Sequence, residues 1–80
     1  MEGTIGEIRL FGGSWPPQGW AFCNGYKMTI DNYHAPLYSV IGTNFGGDGV
    51  HDFYLPKLQS LGDYGPHYII CIQGTYPARP

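Results

Sequence analysis

The chain has 80 residues, of which 42% are hydrophobic, 16% aromatic and 12% charged, with 13 Gly and 7 Pro. A single domain over residues 1–80 buries only roughly 60% of its unfolded surface, so staples or association with copies of itself are expected to support it. Four basic against six acidic residues leave a formal charge of −2, which excludes the electrostatic footprint of a nucleic-acid or anionic-membrane binder. Gly and Pro at this level occur in disordered chains, but the aromatic and β-branched content argues for a packed, loop-rich β domain.

In chain order, Met1-Glu2-Gly3-Thr4 lacks the basic region of an export signal. The apolar runs are too short for a signal or a membrane span. Ile5 to Phe11 alternates as a strand does, with apolar groups on both faces. Gly12 to Gly19, with Ser14-Trp15-Pro16-Pro17 inside it, is a turn region, because proline fixes φ and glycine permits positive φ. Trp20 to Cys23 is a short apolar strand closed by Asn24-Gly25, a two-residue hairpin signal that predicts Tyr26 to Ile30 as the return strand.

Asp31 to Ala35 is a polar lead into a short helix. Pro36 suits the first helical turn, Leu37, Val40 and Ile41 form an i, i+3, i+4 apolar stripe, and Gly42 follows the cap. Thr43 to Gly49 reads as an irregular loop, and Phe53-Tyr54-Leu55 as a strand fragment stopped by Pro56. Leu58 to Pro66 reads as loop, with turn signals at Gly62-Asp63 and Gly65-Pro66. Tyr68 to Gln73, nearly all apolar, predicts a fully buried central strand, and Thr75 to Pro80 a strand end or extended terminus.

Enzyme chemistry finds no support in these spacings. Ser14 lacks the surroundings of a nucleophile elbow, and the glycines from Gly42 to Gly49 are followed by no Lys-Ser or Lys-Thr. His34, His51 and His67 stand singly, which predicts solvated or hydrogen-bonded histidines and no metal. Asp48 and Asp52 flank a Gly turn, but acids are too few for a calcium cage, and Asp at a turn usually bonds its own backbone. Cys23 and Cys71 match no metal or redox spacing and predict two buried free thiols. No cofactor is expected.

Carbohydrate recognition needs only aromatic faces and a few polar partners. Trp15, Trp20, Tyr26, Tyr33, Tyr54 and Tyr64 supply faces, while Asn44, Asp48 and Asp52 supply hydrogen bonds. The blander assignment places most of these aromatics in the core or an oligomer interface, whose energetics aromatics dominate. Trp20, inside an apolar strand, belongs to the core; Trp15, beside two prolines, is placed for exposure.

Three stretches in order carry a family resemblance. Ile5-Gly6-Glu7-Ile8-Arg9-Leu10-Phe11, followed by Gly19-Trp20-Ala21-Phe22-Cys23-Asn24-Gly25, resembles the opening of the phage tail collar domain, found in tail fibres and in microcystin-dependent-type bacterial proteins. Leu37 to Gly49 with Phe53-Tyr54-Leu55-Pro56 behind it is similar to the second signature of that family, and Tyr68 to Pro77 to its closing strand. Two departures stand out. Leu55-Pro56 continues as Lys57-Leu58-Gln59-Ser60 instead of an Asp and a basic, Gly-containing stretch, and the long variable insertion has shrunk to Leu58–His67. That insertion is the usual carrier of target recognition, so its loss argues against receptor binding by that route and leaves a scaffold.

The resemblance implies a mainly β fold with one short helix (small α+β), assembled as a homotrimer. The function expected is a non-enzymatic structural and adhesion module of a tail, injection or surface-attachment apparatus, located in a virion tail, or in bacterial cytoplasm before assembly. Partners expected are copies of itself, other tail or fibre proteins and cell-surface glycans, with no nucleic acid and no membrane insertion. Trp15, Tyr54, Phe11 and Tyr76 are the interface candidates, being turn or strand-end aromatics. No fibre shaft accompanies the domain, and on that ground the alternative is a stand-alone oligomeric lectin binding sugar through Trp15, Asn44, Asp48, Asp52 and Tyr54.

Overall fold

Six short elements follow one another in the computed structural model, which describes residues 1–62 and 65–78. They are β1 (Ile8–Phe11), β2 (Trp20–Phe22), β3 (Lys27–Thr29), α1 (Ala35–Ile41), β4 (Asp52–Tyr54) and β5 (His67–Cys71). The architecture is mainly β with one short helix, as the sequence predicts. Tyr64, half of the Gly62-Asp63 turn signal, and the terminal Arg79-Pro80 lie outside the described residues.

The predicted central strand occupies the centre. β5 lies between β1 and β2 in a three-stranded sheet and pairs antiparallel with both. Alternate side chains of a strand point to opposite faces, and both faces of β5 are dry. Ile70, with Ile72 just past the strand, joins Ile5, Cys23, Leu37, Ile41, Phe53 and Leu55 in the main core. Ile69 and Cys71 join Trp20, with Phe11 and Phe22 at the margin, in a second cluster on the other face.

Two different covers bury those faces. On the first, α1 contributes Leu37 and Ile41, one turn apart, and a two-stranded sheet of β3 and β4 contributes Phe53. On the second, the N-terminal segment lies against Trp20: the indole N–H donates to the Met1 carbonyl at 3.1 Å, the Gly3 backbone abuts the ring, and the Arg9 guanidinium stands 5.3 Å from its centroid. The connection from β1 to β2 spans residues 12–19. Both strands are antiparallel to β5, so they run parallel to each other, and the chain must return from Phe11, opposite His67, to Trp20, opposite Cys71. Gly13 lies directly on the Phe11 ring. At the far end the Gly19 carbonyl accepts the Ile72 and Gln73 N–H groups at 2.7 and 3.0 Å. The Gly/Pro-rich segment read as a turn region is therefore a crossover.

Two local expectations are corrected. The Asn24-Gly25 hairpin does not form: β2 pairs with β5, and the return strand, shortened to Lys27–Thr29, pairs with β4. A type I′ hairpin turn needs positive φ at both central residues, whereas Gly25 is at +80° and, among the described residues, no non-glycine residue, Asn24 included, has positive φ. Asn24 instead accepts the Tyr26 N–H on its side chain at 3.3 Å, and the chain passes from one sheet to the other. Second, the strand expected from Ile5 starts only at Ile8. The Glu7 N–H donates to the Thr4 carbonyl at 2.8 Å, with Gly6 at φ +88°, which is a type II turn. The Gly6 N–H donates to the Cys71 carbonyl and the Cys71 N–H to the Glu7 carbonyl, both at 2.9 Å. Two residues thus oppose one, as in a bulge with glycine at its first position.

The helix follows its predicted signals. The Asp31 carboxylate accepts the Tyr33 and His34 N–H groups at 3.0 and 2.9 Å, ordering the lead-in. Pro36 sits in the first turn, where no intrahelical donor is lost. Gly42, at φ +54°, ends the helix and donates its N–H to the Tyr38 carbonyl at 2.7 Å. Val40, expected on the buried stripe, lies at its margin against Gly6.

Gly6 is sensitive on two counts, its positive φ and a Cβ position 2.9 Å from Val40 Cγ1. Gly6→Ala should cost about 1–3 kcal/mol, read as a lowered denaturation midpoint with an unchanged slope. Gly12→Ala, where φ is not positive and a Cβ meets nothing within 4 Å, should cost less. Equal midpoints for the two variants would contradict the bulge assignment. Cys23 and Cys71 are both free and buried, as predicted. Burial pushes the Cys23 thiol up to about 11 and raises Cys71 as well, so a thiol reagent at pH 8 should label neither until the protein is unfolded. Labelling of native protein at the rate of a free peptide thiol would refute it.

Candidate functional site

The residues singled out for binding fall into two separate loops. Asn44, Asp48, Asp52 and Tyr54 belong to the connection between α1 and β4 and to β4 itself, while Trp15 sits in the β1–β2 crossover. No hydrogen bond or aromatic contact joins Trp15 to the first group among the described residues.

The α1–β4 loop is organised by one carboxylate. Asp48 Oδ1 accepts the backbone N–H groups of Val50, His51 and Asp52 at 2.8, 2.8 and 3.2 Å. Its own N–H donates to Asp52 Oδ1 at 3.1 Å, and Asp48 Oδ2 stands 3.4 Å from His51 Nδ1. Hydrogen bonds to the charged form favour it, so the three backbone donors, Val50 first, hold the Asp48 carboxyl well below the usual carboxylate range. This is the side-chain turn that an Asp beside a glycine favours.

The surroundings of the loop are equally specific. Gly47, at φ +105°, lets the chain pass so close to β4 that a Cβ would stand 2.6 Å from Phe53 Cα. Tyr38 on α1 donates its hydroxyl to the Gly49 carbonyl at 3.1 Å and tilts its ring against Phe53, 5.4 Å between centroids. Asn44 continues the helix end, its N–H donating to the Ile41 carbonyl at 3.2 Å, and its side chain is exposed. Asp52 and Tyr54 alternate outward on β4 opposite Thr29 and Lys27, with Lys27 Nζ 3.7 Å from Asp52 Oδ2. The exposed Tyr54 ring lies over Gly46.

The remaining candidates are spread over the surface. Trp15 is 76% exposed, and Trp20 is in the core as predicted. Phe11 is half-buried in the second cluster. Tyr76 is exposed, with its hydroxyl hydrogen-bonded to that of Ser39 on α1. Tyr26 and Tyr33 are exposed on other loops. Among the described residues no group of three His, Cys, Asp or Glu side chains converges as a metal site would require. The arrangement is thus a set of separate apolar side chains on well-braced loops. Reading the sequence passed over the supporting residues Tyr38 and Lys27, and also the exposure of Ile8 and Leu10 on β1. The one available signal was that the Ile5–Phe11 segment carries apolar groups on both faces.

Comparison with known families gives a match. The model of the phage tail collar domain covers residues 6–61, that is 56 of the 80 residues, from the turn at Gly6 to Leu61. No curated protein matches the chain. The matched range includes β1, β2, β3, α1, β4 and the whole Asp48 loop, while β5 lies beyond it. The chain belongs to the phage tail collar domain family.

The Asp48 loop makes its own prediction. A carboxylate held below its ordinary value, about 3.9 for Asp, stabilises the loop above that pH and loses its contribution only as pH falls through the depressed value. The Val50, His51 and Asp52 amides should therefore stay protected from hydrogen exchange at pH 3.5, and Asp48→Ala should abolish that protection at pH 3.5 and pH 7 alike. Protection unchanged in the variant would contradict the role given to Asp48.

Proposed function

We propose that this member of the collar family is a non-enzymatic structural module of a phage-type tail, built into the virion after synthesis in the bacterial cytoplasm, and that it works as a homotrimer. The observation that carries the reading is the spread of Trp15, Tyr54 and Tyr76, three exposed aromatic side chains on three different segments. In a closed three-membered ring each patch meets a different patch of the next subunit, and exposed aromatics on braced loops suit such a contact. The accessible surface points the same way: 5313 Å² exceeds the roughly 4,800 Å² typical of a folded monomer of this mass. Phe11 is half-buried against the second cluster and contributes less.

The lectin reading draws on the same surface, with Trp15 or Tyr54 as the stacking face and Asn44, Asp48 and Asp52 as hydrogen-bonding partners. The consumption of Asp48 Oδ1 by three backbone donors favours the scaffold. Cell-surface glycans and other tail or fibre proteins remain the partners proposed for each reading.

Native mass spectrometry should give three chains or a multiple of three, and Trp15→Ala or Tyr76→Ala should weaken that assembly. A panel of simple sugars should leave mass and Tm unchanged. A rise in Tm with one sugar class would instead establish the lectin, since a ligand that binds only the folded state raises stability. A mass that neither substitution alters would count against these residues as the interface.

A further inference from the structure

We infer that β1 is a second, two-fold association site, at which the same strand of another copy pairs antiparallel with Ile8 on the symmetry axis. β1 is the end strand of its sheet. Its backbone polarity follows from the bulge: the Cys71 N–H donates to the Glu7 carbonyl, so Glu7, and with it Arg9 and Phe11, direct their backbone groups toward β5. Alternation then turns the N–H and C=O groups of Ile8 and Leu10 outward. These two residues are also 40% and 48% exposed, although they share the face of Ile70 and Tyr68 that α1 covers farther along. A free edge with exposed apolar side chains and no proline is a template for another strand.

Charge and shape select the occupant. With Ile8 opposite Ile8 of the second copy, Arg9 faces Glu7 of that copy, and Glu7 faces its Arg9. These are the two residues that already form an ion pair 2.6 Å apart within one chain. The pairing thus sets two opposite-charge pairs on one face of the joined sheet. On the other face Leu10 comes opposite the turn at Gly6 of the second copy, which has no side chain and whose N–H is bonded to Cys71, beside Val40, itself 36% exposed. The edge of β3, in the second sheet, is guarded: the Thr29 carbonyl is taken by His34 Nδ1 at 2.9 Å, and Lys27 flanks it. The β1 contact uses none of Trp15, Tyr54 or Tyr76, so it rests on a different surface from the proposed ring. Joined to that ring it closes a hexamer of two trimers.

Native mass spectrometry of the full chain and of three variants tests the site. Leu10→Pro removes an outward N–H without touching the pairing to β5. Arg9→Glu sets like charges face to face, and Glu7→Arg with Arg9→Glu restores the opposite pairing. The expected result is an even number of chains for the native protein, halved by Leu10→Pro and by Arg9→Glu and recovered in the double variant, with circular dichroism showing each folded. If Leu10→Pro does not fold, the charge series alone decides. A native mass of one or three chains, or an even mass that Arg9→Glu leaves intact, overturns the proposal. A dimer that Arg9→Glu converts to monomers would support this site while refuting the three-fold ring, and a trimer unaffected by either variant would do the reverse.

Discussion

Burial of one strand on both faces is the constraint on which the rest of this protein depends. β5 sends Ile70 into one apolar cluster and Ile69 and Cys71 into another, and all three are fully buried. A strand in that position exposes unpaired backbone at both edges unless neighbours flank it, which is the part played by β1 and β2. It also needs two apolar covers, and the described residues form one helix. On the other face Trp20 packs on Ile69 and Cys71, with the N-terminal segment and Arg9 against its ring.

Glycine stands at the crowded points. Gly6 turns the chain and sets a bulge against Cys71, and Gly47 lets the α1–β4 loop pass against Phe53. Where backbone packs this closely on backbone, its amides need partners close at hand. Asp48 illustrates the consequence: a carboxylate in a candidate binding loop is occupied in holding three amides of that loop. Asp31 does the same for the Tyr33 and His34 amides, while Trp15, Tyr54 and Tyr76 remain outside. The small net charge of −2 sets little long-range repulsion between copies.

A domain of this size shields little of its own apolar surface, and here the shortfall is not random. Trp15 projects from the β1–β2 crossover, Tyr54 from the end of β4 and Tyr76 from the terminal segment, whereas Ile8 and Leu10 project from a strand with an open edge. Loop aromatics suit contacts whose geometry can differ from one neighbour to the next. A strand edge suits only another strand, in one register. Two kinds of surface on one small domain are consistent with assembly in two directions.

What could be read from the sequence alone was local or strongly patterned. The apolar run at Tyr68 to Gln73 identified the central strand, because no other segment could be buried on both faces. Pro36, Leu37, Ile41 and Gly42 identified the helix, because capping and the i, i+4 stripe act within a few residues. Asp48 beside Gly49 foretold a self-bonded turn for the same reason. The partners of the strands were not legible. Asn24-Gly25 reads as a hairpin, yet β2 pairs with β5 some fifty residues away, because joining a fully buried strand releases more apolar surface from water than a two-stranded ribbon can. The bulge at Gly6, the crossover from β1 to β2 and the open edge of β1 follow from that choice. Strand pairing is a property of the whole chain, and only the tertiary structure decides it.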